Sequence, residues 1–210
     1  MTLFESDRKF KALVELIESE ERRERWIRSD LAREALDGGD LDRAVSILEG
    51  LLSEIEEGPR DAADPFILVV TDQLAAAYLF AARHDDALNL HEQNVAECRE
   101  LLGPDHLLTL HCQDNLATTL SLVERHDEAI TLQEETLAAY RQTLGEDHPD
   151  TLTCQCNLAW FLFNAGREEC IALYEQTLAA CTEALGPDDM LTESVAEFLE
   201  TAREYLDDED

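Results

Sequence analysis

The sequence predicts an all-α fold, a short solenoid built from paired helices, and three observations carry that expectation. A block of about 42 residues recurs along the chain in constant register. Within each block the apolar residues keep helical rather than alternating spacing. The 5 Pro and 8 Gly of the 210 residues fall between long Ala/Leu/Glu-rich stretches, the distribution of helices joined by short punctuated loops.

The repeat is seen in three separate segments. Leu102-Gly103-Pro104-Asp105-His106 returns as Leu144-Gly145-Glu146-Asp147-His148, 42 residues on, and as Leu185-Gly186-Pro187-Asp188-Asp189, 41 further. Asp72-Gln73-Leu74-Ala75, Asp114-Asn115-Leu116-Ala117 and Cys156-Asn157-Leu158-Ala159 keep the same step. So do Arg83-His84-Asp85-Asp86-Ala87-Leu88 and Arg125-His126-Asp127-Glu128-Ala129-Ile130, and Gly166-Arg167-Glu168-Glu169-Cys170-Ile171 follows after a one-residue deletion near Asn164. Internal repeats of this length mean stacked supersecondary units, each too small to bury its own apolar face.

Each unit reads as two helices. The first starts after the Gly/Asp/His loop; Pro149 suits a first helical turn, and Asp150 puts negative charge near the helix N-terminus. Ala75, Ala117 and Ala159 are small enough to let a second helix approach closely. The second helix opens on acidic pairs (Asp85-Asp86, Asp127-Glu128, Glu168-Glu169) that complement its positive end. A degenerate copy precedes these, with Leu31-Ala32 and Gly39-Asp40-Leu41-Asp42-Arg43-Ala44, its second helix running to about Glu57. Residues 191–206 read as one last helix, polar-faced to shield the open end. The expected organisation is an N-terminal helical segment (1–27), a degenerate first repeat (28–57), repeats at 66–101, 102–143 and 144–184, a capping helix (185–206) and an acidic tail (207–210).

Composition limits the function. The formal charge is -32, from 16 basic and 48 acidic residues. The first 30 residues hold seven basic and eight acidic side chains, so the repeat body carries nearly all the negative charge. Such a surface repels phosphate backbones and anionic lipid heads, so neither nucleic acid nor membrane is an expected partner. The same acidity also serves solubility. No run of about 18 apolar residues is present. Residues 1–11 mix acidic and basic side chains and lack the pattern of a signal peptide, so a cytoplasmic location and reduced thiols are expected.

No phosphate-binding loop, nucleophile elbow or zinc-protease motif occurs, and no enzyme activity or cofactor is expected. Cys154 and Cys156 are two apart, which on a helix points them about 200° apart, unlike a metal pair. His111 and Cys112 are adjacent and fail likewise, so the six cysteines are expected to fill small core positions. His84 with His126, and His106 with His148, recur at fixed repeat positions, which points to packing or capping rather than catalysis.

With these residues set out, the chain resembles the tetratricopeptide repeat (TPR) family, clearly over 66–206 and more weakly over 28–57. The Leu-Gly-x-Asp-His-x-x-Thr-Leu loop and the Asn-Leu-Ala helix are similar to repeats of the kinesin-light-chain type. The chain departs from that pattern at Leu107 (loop Pro), Gln73 (Asn), Gln133 (aromatic) and Cys170 (Ala). The resemblance implies an all-α, right-handed TPR-like solenoid of antiparallel helix pairs with a C-terminal capping helix. It also implies a protein-binding adaptor whose concave face, lined by the first helix of each unit, takes an extended peptide or a partner helix.

At helical spacing the lining residues are Val69, Asp72, Gln73, Ala76 and Leu79; His111, Asp114, Asn115, Thr118 and Ser121; and Thr153, Cys156, Asn157, Trp160 and Phe163. None is Lys or Arg, so a basic or apolar protein or peptide is the expected partner. Gln73, Asn115 and Asn157 form a repeated series of amides, able either to hold a peptide backbone or to bond between helices of the solenoid. Trp160 and Phe163 share a helix face and read as an anchor pocket or as packing for the terminal helix. Leu3, Phe10, Leu13, Leu16 and Ile17 form an apolar stripe that either caps the first repeat or pairs with another chain as a homo-oligomer. Charge alone would also fit an acidic decoy for a nucleic-acid-binding protein.

Overall fold

A computed structural model of the protein describes residues 20–57 and 65–207. The described residues form nine α-helices and no strand. The fold class is the all-α, TPR-like solenoid expected from the sequence. The apolar stripe over residues 3–17 lies outside the described residues. The chain divides into two compact units, residues 1–83 and 84–210.

The first unit holds α1 (Glu20–Asp37), α2 (Leu41–Glu57) and α3 (Pro65–Phe80). α2 packs on both neighbours, and α1 touches α3. Ala32, Ala44, Leu48 and Leu51 are fully buried. Each such Leu contributes roughly 1.5–3 kcal/mol. The Trp26 ring leans on Phe66, centroids 4.8 Å apart.

The second unit holds α4 (His84–Leu101), α5 (Leu107–Leu122), α6 (His126–Leu144), α7 (Pro149–Asn164), α8 (Glu169–Ala184) and α9 (Met190–Asp207). Every helix packs on the next. The first helices also touch across repeats, α5 with α7 and α7 with α9, whereas no Cα atoms of α4, α6 and α8 come within 8 Å of one another. Within this unit α5, α7 and α9 therefore line the shorter, inner side, and α4, α6 and α8 splay on the outer side.

The recurrent loop owes its composition to specific bonds. Gly103, Gly145 and Gly186 take φ of 95°, 96° and 101° as the second helices end, a conformation open to Gly at little cost. Thr109 and Thr151 each donate at 2.8 Å to the carbonyl of the Gly six residues earlier, which ties helix to loop. His106 and His148 cap α5 and α7: each Nδ1 accepts from the backbone N–H two residues on, at 3.2 and 3.1 Å. Asp189, at the same repeat position, caps α9 by accepting from the Leu191 N–H at 2.9 Å. The repeated loop histidines are thus capping groups, and a His cap starts α5 without the loop proline that Leu107 replaces.

The last core is made by α7, α8 and α9, with Leu152, Cys156, Ala159, Tyr174, Val195 and Leu199 buried together. The repeat step explains how the solenoid stops. On α7, Leu152, Cys156, Ala159 and Phe163 face this core. The positions 41 residues later on α9 are Glu193, Glu197, Glu200 and Glu204, all exposed. Four apolar contacts become four carboxylates, so no further helix pair can stack there without burying unpaired charge.

Candidate protein-binding surface

On the inner side of the second unit, each first helix shows one exposed or half-buried stripe with spacing 4, 3, 4. On α5 it is His111, Asn115, Thr118 and Leu122; on α7 it is Thr153, Asn157, Trp160 and Asn164. The 41-residue step carries the α7 stripe to Ser194, Phe198, Thr201 and Tyr205 on α9. The surface grades from polar on α5 to aromatic on α9.

Beneath the stripes lies a polar hub at Asp114. Its carboxylate accepts from Gln133 Nε2 on α6 and, at 2.9 Å, from Asn157 Nδ2 on α7. Gln133 is fully buried and also donates to the Cys154 carbonyl at 3.0 Å. Burial is the largest influence on Asp114 and pushes its pKa above the ordinary carboxylate range; the bonds from Gln133 and Asn157 and the nearby His111 pull it back in part. One carboxylate thus joins three helices of two repeats.

The next repeat replaces this polar arrangement as a set. Cys156 stands where α5 has Asp114, and Tyr174 stands where α6 has Gln133. Both are buried, 4% and 1% exposed, in the α7–α9 core. Burial pushes the Cys156 thiol up to about 12, so it carries no charge at neutral pH. The departure of Gln133 from the aromatic of the resembled pattern has a physical reason here: a half-buried Asp opposite requires donors, and a Cys opposite accepts an aromatic ring.

The expected lining residues separate accordingly. His111, Asn115, Thr118, Thr153, Asn157 and Trp160 reach the inner surface to differing degrees, Asp114 is half-buried at its edge with its carboxylate turned toward Gln133 and Asn157, and Cys156 lies in the core. Asn115 Nδ2 and His111 Nε2 are 3.3 Å apart, and Thr118 donates to the Asp114 carbonyl at 3.1 Å. Ser121 is buried and meets Asn164 Nδ2 of α7 at 3.3 Å. Phe163 packs edge-on against Tyr205 of the terminal helix, centroids 5.5 Å apart. Trp160 is half-buried and leans on Phe161 at 5.4 Å.

In the first unit, Val69, Ala76 and Leu79 are half-buried on α3, and Asp72 is buried. Gln73 accepts from Ser29 Oγ of α1 at 2.7 Å. Ser29 stands two residues before Leu31 as Asp114 stands two before Leu116, and Gln73 and Asn157 each stand one before the repeat Leu. Both units therefore use one device: an amide on a first helix bonds to the first helix of the preceding repeat.

The outer side is held by arginine. Arg83 pairs with Glu49 at 3.7 Å and lies over the Tyr78 ring. Arg125 reaches Glu92 at 3.3 Å and Glu128 at 2.7 Å, and Arg167 pairs with Asp127 at 2.5 Å. The arginine that recurs in each turn thus ties its repeat to the one before. A shallow cleft of about 480 Å³ lies between α4 and α6, with Leu116, Leu120 and Leu132 at its floor and Arg125 across it. All six thiols are buried, and no group of three or more His, Cys, Asp or Glu among the described residues is placed to hold a metal ion. No described helix is long and apolar enough to cross a membrane.

A stack of two-helix units with capping loop histidines, amide ties between repeats and a charged terminal helix defines a helical-repeat protein of the tetratricopeptide class. The chain matches the tetratricopeptide repeat family over residues 67–142 and 115–169, and over 151–189 by a second description of the same repeat. These matches span more than half the chain, which belongs to that family, with repeats of the kinesin-light-chain type. Among solved structures it is similar to the nearly identical TPR-like repeats of a putative kinesin light chain from Podosopora anserina, at 28% identity, 84% coverage of each chain and a TM-score of 0.72. It shares its fold with BtubC (BKLC) from P. vanneervenii, at 18% identity over 99% of this chain and 93% of that one, TM-score 0.67. MamA of MSR-1 follows at 20% identity over 89% and 98%, TM-score 0.50. No curated protein matches the chain. Proteins of this fold generally mediate protein–protein interaction, and the family is typically non-enzymatic.

Proposed function

We propose that the protein is an adaptor whose residues 84–207 bind an extended peptide or a partner helix on the inner face, with repeats at 102–143 and 144–184 closed by the cap at 185–206. The observation that carries this reading is the run of matching stripes on neighbouring first helices. His111, Asn115 and Thr118 stand beside Asn157 and Trp160, with no Lys or Arg among them. The bond to Asp114 fixes the orientation of the Asn157 amide and occupies one N–H of a group that has a second N–H and a carbonyl oxygen to offer. An amide held in place loses little freedom on meeting a peptide backbone. Trp160 supplies an apolar anchor. The anionic surroundings favour a basic or apolar partner.

The test is capture from native lysate with the full chain carrying a photo-crosslinking residue at Thr118 or, on the outer side, at exposed Glu134. The expected result is a partner adduct at Thr118 that is lost from a folded Asn115→Ala/Trp160→Ala variant. Adducts formed at Glu134 alone, or kept in full by that variant, would remove the inner face as the site.

A further inference from the structure

The terminal helix α9 has an exposed surface that capping alone does not explain. Met190 is 80% exposed, Phe198 43% and Tyr205 56%. At about 100° per residue these three fall within an arc of roughly 80°, together with Ser194 and Thr201. The buried residues Val195, Leu199 and Ala202 occupy the neighbouring arc. On the other flank Glu193, Glu197, Glu200 and Glu204 form a single ladder at i, i+4, i+7 and i+11. α9 therefore presents an open apolar stripe bordered along its whole length by carboxylates.

The stripe is also held in shape. Tyr205 rests edge-on against Phe163, centroids 5.5 Å apart, and Phe198 lies beside Tyr174 at 6.3 Å. Aromatic side chains fixed by packing bind with little further loss of freedom, and they dominate interface energetics. Single exposed apolar residues are ordinary on protein surfaces; three on one helix face, contiguous with the inner surface, form a patch.

Charge decides what covers it. A second copy would bring its own excess of acidic residues to the glutamate ladder, and like charges across an interface cost several kcal/mol. We infer that α9 docks a cationic amphipathic helix of about four turns, whose apolar stripe covers Met190, Phe198 and Tyr205 and whose Lys or Arg residues, one per turn, face Glu193, Glu197, Glu200 and Glu204. The length follows from the roughly 22 Å between Met190 and Tyr205 along the helix. The inference rests on partner binding by residues 84–207 and deepens it: it names the partner's chemistry and moves the main anchor from α7 to α9.

The probe is a fluorescent synthetic 18-residue peptide with Leu along one helical face and Arg at i, i+4, i+7 and i+11 on its flank. A scrambled peptide of the same composition serves as control. Anisotropy is read with the full chain, and circular dichroism confirms that each variant is folded. Three variants are compared: Glu193→Gln/Glu197→Gln/Glu200→Gln/Glu204→Gln, which alters exposed groups only; Phe198→Ser/Tyr205→Ser; and Asn115→Ala/Trp160→Ala. The ordered peptide is expected to bind at least about tenfold tighter than the scrambled one, since only the former aligns its charges. The two α9 variants are expected to weaken it about tenfold or more, and the Asn115/Trp160 variant, at the secondary anchor, to weaken it by less than either. No binding, equal binding of the scrambled peptide, or indifference to the glutamate variant overturns the inference. Binding lost only in the Asn115/Trp160 variant overturns it too, while leaving the inner-face reading standing.

Discussion

Asn157 on α7 donates a 2.9 Å hydrogen bond to the carboxylate of Asp114 on α5, 43 residues earlier in the chain. Gln133 reaches the same carboxylate from α6. The pair joins successive repeats across the inner side and holds a charge where the solvent reaches it poorly. Removing the amide with Asn157→Ala leaves that charge with one donor fewer. The expected cost is about 1–3 kcal/mol, read as a lower urea midpoint.

Asp114 also fixes a pH dependence. Its pKa is raised in the folded state, so between the ordinary carboxylate value and the raised one the folded chain holds a proton that the unfolded chain has lost. The contribution of this group to stability therefore falls as pH rises through that window. Asp114→Asn does not titrate. Comparing denaturation midpoints of the two proteins, the difference should move toward the wild type as pH is lowered from neutral into the acid range. A difference independent of pH would mean that Asp114 does not titrate abnormally.

The exchange of Asp114–Gln133 for Cys156–Tyr174 gives a double-mutant test. Cys156→Asp alone places a carboxylate against the Tyr174 ring in a closed core and should cost roughly 3–5 kcal/mol, the scale for an uncompensated buried charge. Adding Tyr174→Gln supplies the donor used in the preceding repeat and should recover a substantial part of that loss. An additive double mutant would show that the two positions are uncoupled.

The turns between paired helices require a left-handed residue in every repeat. Gly39 and Gly166 supply it at φ of 77° and 67°, but Ala82 and Glu124 hold the equivalent place at 57° and 63°. Side chains there cost about 1–2 kcal/mol. Glycine gives part of that back through its freer unfolded state. Ala82→Gly and Glu124→Gly should each stabilise the protein by about 0.5–1 kcal/mol by thermal or chemical denaturation.

The repeat register made most of the fold legible in the sequence. The loop motif located the starts of α5, α7 and α9, and the acidic pairs marked α4, α6 and α8, because helix ends are set by local chemistry. The site was legible only by stripe. Helical spacing put Asp114, Cys156 and Asn157 on one side of their helices, yet Cys156 is buried and Asp114 half-buried because each meets a side chain of the following helix, Tyr174 or Gln133. Such pairing depends on residues 18 or 19 positions away, beyond the reach of a helical period. No local motif marks Phe198 and Tyr205, although the 41-residue step maps Asn157 and Asn164 onto them.

The glutamate ladder on α9 can be reversed. Glu193→Leu/Glu197→Ala/Glu200→Ala/Glu204→Phe restores close counterparts of the α7 face that receives α9. The variant should self-associate in sedimentation velocity at concentrations where the wild type does not, because an apolar repeat end is again exposed. Unchanged sedimentation would mean that the four carboxylates do not limit the stack.

The ties on the two sides of residues 84–207 differ in kind. Inner helices touch and are joined by half-buried amide and carboxylate groups, while outer helices stand apart and are joined by exposed arginine pairs such as Arg125–Glu92. Exposed pairs hold with no more than about 1 kcal/mol and yield to salt. The unit is accordingly stiff along its inner edge and compliant along its outer one, like a spine that flexes about the line of its own closed side. A change in the pitch of the coil would stretch these arginine ties first.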